Sequence, residues 1–342
     1  MPFSKRQLDA LHAPDLISAS RVKHLATRTC EVWLKRATFR VEDATVKRLY
    51  ALYSDFYRDV RSVASDEAER LRIDTLQPDA SGNLWRKAVI SRVEAGIPRL
   101  TDAVAAEALR GTTLAYYGGY YGRLWLLEVA TTADIHIAPK PPPADAVYRQ
   151  VLQPLLREDE YDSLIRSMLG QEWRDLYANE LDGLTVDIRR ALNTGMSSGE
   201  GIPQLMRRVR KVIGVETDRR MGYRQNFAKI QTLTRTFTNK AGADGAVEAY
   251  KANADVLSGW EWLAAGEGAC PICEALDGTI HDLNDSNKPP AHPSCRCTPI
   301  PVIRDDILTP DAEPPHQTMG EWAAQAGLDA LLGAFLGRAI VR

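Results

Sequence analysis

The stretch from Cys270 to Cys297 holds four of the chain's five cysteines and two of its six histidines, His281 and His292. Cys270 and Cys273 form a C-x2-C pair, and after eighteen intervening residues His292 opens an H-x2-C-x-C run through Cys295 and Cys297. A C-x2-C turn sets two thiolates on one side of a tetrahedron, and a loop that brings back a second pair fills the other side. That is the ligand chemistry of a structural zinc ion. Five candidates compete for four places. His292 with one of Cys295 and Cys297 makes a three-cysteine, one-histidine site, whereas both cysteines without His292 make an all-cysteine site. Residues two apart in an extended chain point the same way, so spacing leaves the choice open. The preferred set is Cys270, Cys273, His292 and Cys295, with Cys297 as the substitute; His281 reads as a surface residue of the intervening loop.

Other chemistry fits these residues less well. A Cys–His nucleophile needs an orienting third group and an oxyanion donor, and nothing in the sequence marks either. Two disulfides belong to an oxidising setting. A hydrolytic zinc centre keeps one position for water and a nearby general base, and no H-E-x-x-H motif occurs. The cluster therefore reads as closed and structural, with a zinc-containing nucleic-acid-binding protein or nuclease as the alternative.

The elements that must position this cluster are mostly helices. The chain has 342 residues, 44% apolar and 26% charged, with a formal net charge of −2, which bounds it to a globular chain of about two domains without a global polyanion signal. "MPFSKRQLDALHAPDL" has no apolar core of a secretory signal, and no apolar run is long enough to span a bilayer, so a reducing cytoplasm is expected. Residues 1–40 read as an N-terminal arm, 41–137 as a helical domain, 138–146 ("APKPPPADA") as a stiff proline-rich linker and 147–254 as a second helical domain. Val46, Leu49, Tyr53, Phe56 and Val60 alternate steps of three and four, one face of a helix. Further helices are expected near Leu84 and over Leu100–Arg110. "YYGGYYG" (116–122) predicts a close helix–helix contact, with an aromatic docking surface as the alternative. Ser198 or Glu200, with Pro203, would start a helix after the glycine-rich turn.

From 255 to 303 the pattern changes to short alternating segments, "GWEWLAA", "GTIHDL" and "TPIPVI", with prolines in the last marking an edge strand. The fold class is thus mainly α: an extended multi-helix body with a small α+β zinc-stabilised module near the C-terminus. Residues 304–342 read as a linker and an amphipathic helix whose stripe includes Leu328, Leu331, Leu332, Phe335 and Leu336, a partner-docking face.

Residues 205–240 carry ten basic side chains against Glu216 and Asp218, an excess of eight on a slightly acidic chain. Arg207, Arg208, Arg210, Lys211, Arg219, Arg220 and Arg224 are its candidates for contact with nucleic acid or an acidic partner; a solvated helix face is the bland reading.

"GWEWLAAGEGACPICEALDGTI" followed by "PPAHPSCRC" resembles the C-terminal module of the Mu F-like phage head morphogenesis, or minor capsid, proteins: a tryptophan, a C-x2-C, a Leu-x-Gly and an "HPxCRC" ending. Here these are Trp260 or Trp262, Cys270 and Cys273, Leu276 and Gly278, and His292 to Cys297. "LTRTFTNKA" (233–241) is similar to a family helix, with Phe237 where a glutamate is common. The resemblance covers about residues 185–303. It implies a non-enzymatic head component of a tailed phage, near the portal and present in several copies. Its partners would be the portal protein and other head proteins, with packaged DNA within reach and no membrane. The implied location is the virion head, and the host cytoplasm during assembly.

Overall fold

The computed structural model describes residues 19–73, 79–131, 137, 173–215, 225–266, 269–307, 321–322, 324 and 327–328. The helices are α1 (Ala19–Leu71), α2 (Ala80–Ala130), α3 (Trp173–Ser197), α4 (Ile202–Ile213) and α5 (Gln225–Lys251). Strand β1 (Leu257–Leu263), helix α6 (Pro271–Leu276) and strands β2 (Ile280–His281) and β3 (Thr298–Ile303) follow. The protein is mainly helical with one small sheet, as its patterning predicts.

Two compact units divide these elements. One gathers residues 1–42, 112–155 and 236–342, and the other 43–111 and 156–235. The sequence reading places its domains consecutively; these units interleave, because α1, α2 and α5 each contribute one segment to either unit. Nor does the chain break at residue 40, which lies inside α1. The helices expected near Leu84 and over Leu100–Arg110 are one helix, α2, with Pro98 inside it. Proline removes a single backbone bond and its fixed φ is helical, so flanking turns packed on a core can carry it. The proline-rich stretch 138–146 lies outside the described residues.

In the second unit the stripe Val46, Leu49, Tyr53, Phe56 and Val60 is buried. Helix α4 buries Leu205, Met206, Val209 and Ile213. Its start differs from expectation: the N-cap is Gly201, whose N–H donates to Gln204 Oε1 at 2.7 Å, while Glu200 pairs with Arg208. Pro203 occupies the first turn, where a missing N–H costs nothing.

In the first unit α2 and α5 meet backbone to backbone. A Cβ on Gly119 would lie 2.2 Å from the Gly242 carbonyl oxygen, and one on Gly245 2.1 Å from that of Tyr116. Tyr116, Tyr117, Tyr120 and Tyr121 are all buried, so the "YYGGYYG" segment is a helix–helix contact and its tyrosines form no docking surface. The sheet has the order β2-β1-β3, antiparallel throughout, with Trp260 opposite Pro301 and Glu261 opposite Ile300. Strand β3 is an edge, where Pro299 and Pro301 forfeit no ladder bond.

A buried polar network joins this sheet to the helices. Arg123 of α2 grips Glu31 of α1 in two-pronged fashion, Nε to Oε1 at 3.0 Å and Nη2 to Oε2 at 2.8 Å, and also donates to Thr298 Oγ1 at 3.0 Å. Tyr250 of α5 donates to Glu31 at 3.0 Å and lies 3.1 Å from the Pro299 carbonyl. Burial pushes the Glu31 carboxyl up, and the guanidinium and the tyrosine hydroxyl oppose that push. An isolated carboxylate at this depth would be costly; pairing and hydrogen bonding make the site tolerable.

Candidate metal centre

The module is built around two tight turns. Cys270 stands at the start of α6 with Pro271 behind it, and Glu274 N–H donates to the Cys270 carbonyl at 2.9 Å, so a single helical turn brings Cys270 and Cys273 together. Gly278, at φ +79°, reverses the chain into β2; its N–H donates to the Trp262 carbonyl at 2.8 Å. The chain then returns through Pro289–Ser294 to Cys295 and Cys297, just before β3.

All five sequence-derived candidates converge. His292 Nε2 lies 3.1 Å from Cys270 Sγ and 3.2 Å from Cys273 Sγ, and Cys273 Sγ lies 3.7 Å from Cys295 Sγ. Zinc–sulfur bonds of about 2.3 Å in a tetrahedron place sulfurs about 3.8 Å apart, and sulfur and nitrogen about 3.5 Å apart; the Cys273–Cys295 separation matches the first spacing, and both sulfur–nitrogen separations are shorter than the second. Two overlapping sets result, Cys270–Cys273–His292 and Cys273–Cys295–Cys297, each with its ligand atoms within 4.8 Å of one another. Both consist of thiols and imidazole alone. The four cysteines are free thiols, three of them buried.

The electrostatics separate the last two cysteines. A hydrogen bond from Cys297, with help from backbone donors, pulls the Cys295 thiol down to about 5. The same bond, with burial, pushes Cys297 well up. Burial raises Cys273 to about 11, while backbone hydrogen bonds, first that from Cys273, lower Cys270. His292 Nδ1 lies 2.9 Å from the Pro293 carbonyl, which holds the proton there and leaves the Nε2 lone pair toward the thiols. Cys273 alone belongs to both groups, so either could hold a metal ion with it as the shared thiol. Lys35, buried and donating to the Ala264 carbonyl at 2.7 Å, is lowered to about 8 by that burial, and the Cys297 and Glu31 charges oppose the shift.

His281 departs from its expected place in a surface loop. It pairs with Trp260 across β1–β2, stacks on that indole at 4.3 Å and 9°, and bonds Asp285 Oδ2 at 2.8 Å. It belongs to neither ligand set.

Helix α5 and the middle of α1 hold the returning segment. Asn239 Nδ2 donates to the carbonyls of Cys295 at 2.9 Å and Cys297 at 3.2 Å, and Ser294 N–H donates to Thr236 Oγ1 at 2.9 Å. Arg296 pairs with Glu42 at 2.6 Å and lies over the Phe39 ring at 4.8 Å. Asn239, Thr236 and Glu42 escaped the sequence reading, since ordinary polar residues on a helix carry no mark of a partner some 56 to 254 positions away.

The basic segment presents less charge than its linear count. Arg208 pairs with Glu200, Lys229 with Glu180 at 3.6 Å, Arg235 with Asp43 at 3.7 Å and Lys240 with Asp244 at 2.7 Å. Arg210 donates to the Val215 carbonyl at 3.3 Å and leans over Tyr57. Arg207 and Lys211 are exposed. Arg219, Arg220 and Arg224 lie outside the described residues, as do Leu331, Leu332, Phe335 and Leu336 of the C-terminal stripe; Leu328 and Trp322 are buried. Among the described residues, no helix is long and apolar enough to cross a membrane.

Residues 186–300, about a third of the chain, match the model of the phage Mu protein F like family. The matched span runs from the middle of α3 through the Cys/His cluster into β3. No curated protein and no solved structure matches the chain.

Proposed function

We propose that this chain is a non-enzymatic minor head protein of a tailed phage, acting near the portal in several copies, with a zinc ion clipping its C-terminal sheet onto its helices. The similarity over residues 186–300 points to a phage head morphogenesis protein and so to a virion component that meets other head proteins. The observation that carries the structural half is that Cys270, Cys273 and His292, and Cys273, Cys295 and Cys297, form two overlapping groups of thiols and imidazole that could hold a metal ion.

Zinc there supplies folding energy. Bound by Cys270 and Cys273 together with His292 or the later cysteines, it would tie α6 to the segment that Asn239 and Arg296 anchor on α5 and α1. Four thiol and imidazole donors around a zinc ion would leave no position for a water to activate. Architecture, not turnover, is what such a site delivers. Portal proximity, and contact of the Arg207–Lys211 region with packaged DNA, are part of the same proposal.

Fractionation of phage particles tests it. The chain should co-purify with the portal protein and with mature heads; consistent absence from both refutes the assignment.

A further inference from the structure

The four cysteines of the cluster differ in their access to solvent. Cys273, Cys295 and Cys297 are buried, whereas Cys270 is partly exposed. One helical turn joins Cys270 to Cys273, closed by the bond from Glu274 N–H to the Cys270 carbonyl at 2.9 Å. Such a turn sets the two Cα atoms about 5 Å apart, within the range that a disulfide bridges. Their sulfurs lie within 4.8 Å of each other, and His292 Nε2 stands 3.1 Å from the first and 3.2 Å from the second. Cys273 also lies 3.7 Å from Cys295, but both partners of that pair are buried. A reagent in solution therefore meets Cys270 first, and the thiol directly behind it is Cys273.

We propose that Cys270 and Cys273 form a redox-active dithiol whose oxidation by a small-molecule disulfide dismantles the metal centre. The Cys270 sulfur attacks one sulfur of the oxidant to form a mixed disulfide, and one thiolate leaves. The Cys270 proton passes to His292 Nε2 and on to that thiolate. Cys273 then attacks Cys270 Sγ, and the second thiolate departs with the Cys273 proton. Two protein thiols have given up two electrons, and one oxidant disulfide has become two thiols. Where both sulfurs start as metal-bound thiolates, loss of the ion takes the place of loss of the protons. Because Cys273 belongs to both metal-binding groups, one bridge strips the first to His292 and the second to Cys295 and Cys297, too few for a closed site. The dithiol chemistry needs the thiols alone; the release of metal rests on the zinc-clip reading.

The test exposes the full chain, as isolated, to oxidised glutathione and blocks the remaining thiols with N-ethylmaleimide in denaturant. Tandem mass spectrometry then maps them, while a chromogenic chelator follows released metal. Free thiols in the cluster should fall from four to two, with Cys270 joined to Cys273 and with Cys295 and Cys297 carrying maleimide; dithiothreitol should restore all four. Cys297→Ser, which leaves both sulfurs and His292 in place, should form the same bridge. Four persisting thiols, glutathione retained on Cys270 without closure, a bridge to Cys295 or Cys297 in place of the expected one, or metal held beside the bridge overturns the proposal. A Cys270–Cys273 bridge in a chain that holds no metal as isolated refutes the zinc clip and leaves the dithiol standing. Bound metal with four persisting thiols does the reverse.

Discussion

Asn239→Leu should loosen the Cys/His module more than any conservative change of similar size elsewhere on α5. Asn239 is buried, with 5% of its surface exposed, and its amide donates to two carbonyls of the returning segment, at 2.9 and 3.2 Å. Leucine has the same shape and no donor, so both carbonyls stay buried without their partner. Each such acceptor costs about 1–3 kcal/mol, so the pair amounts to roughly 2–4 kcal/mol after partial relaxation. The lower figure is about a thirtyfold shift in the unfolding equilibrium, and the range corresponds to roughly 5–15 °C in Tm for a unit of this size. Asn239→Asp should be worse, because it sets a carboxylate against the same two carbonyl oxygens. Denaturant unfolding gives the magnitude. Hydrogen exchange locates it: β1, β3 and the Pro289–Cys297 segment should lose protection first, while α3 and α4 keep theirs. A destabilisation under about 0.5 kcal/mol, the range of an ordinary surface change, would refute the bridging role.

Gly245→Ala should disrupt the α2–α5 contact, since its Cβ would stand 2.1 Å from the Tyr116 carbonyl oxygen; overpacking of about 1–3 kcal/mol is expected, and a calorimetric Tm equal to the parent's would contradict it. Arg123→Met leaves Glu31 buried without its cation and should cost about 3–5 kcal/mol, whereas the double change with Glu31→Leu should recover much of that; additive losses in a double-mutant cycle would show that the pair does not act as one. Cys273→Ser, or chelation of metal from the native protein, should unfold residues 255–303 and spare α3 and α4, which hydrogen exchange will show directly; uniform loss of protection would place the cluster outside any local role. Acidification should release the metal as thiolates and imidazole are protonated, and a chelator-based assay that shows no dependence between pH 7 and 5 would argue against thiolate ligation.

Local pattern made some of this architecture legible. The three-and-four spacing of Val46 to Val60 marks a buried helical face whatever it packs on, and Pro299 and Pro301 mark an edge strand because a central one would lose ladder bonds. The glycines of "YYGGYYG" implied a close approach, though not that Gly242 and Gly245 of α5 would supply the other side. The five metal-ligand candidates came from spacing alone. How they group took three-dimensional geometry: the Nδ1 contact of His292 with Pro293 and the 3.7 Å approach of Cys273 to Cys295 depend on loop conformation.

The rest depended on partners distant in the chain. A count along residues 205–240 overstates the charge on display, because Glu200, Glu180, Asp43 and Asp244 reach in from other positions. The length of α1 and the interleaved units follow from tertiary packing that no local window contains. His281 looked like a loop residue until β2 set it on the face of Trp260.

The most direct test of the central claim is zinc-edge X-ray absorption on the native protein, paired with elemental analysis. One zinc per chain is predicted, with three sulfurs at about 2.3 Å and one imidazole nitrogen at about 2.0–2.1 Å. A protein free of metal as isolated, or a shell in which oxygen takes a sulfur's place, would contradict a closed clip formed by Cys270, Cys273, His292 and Cys295.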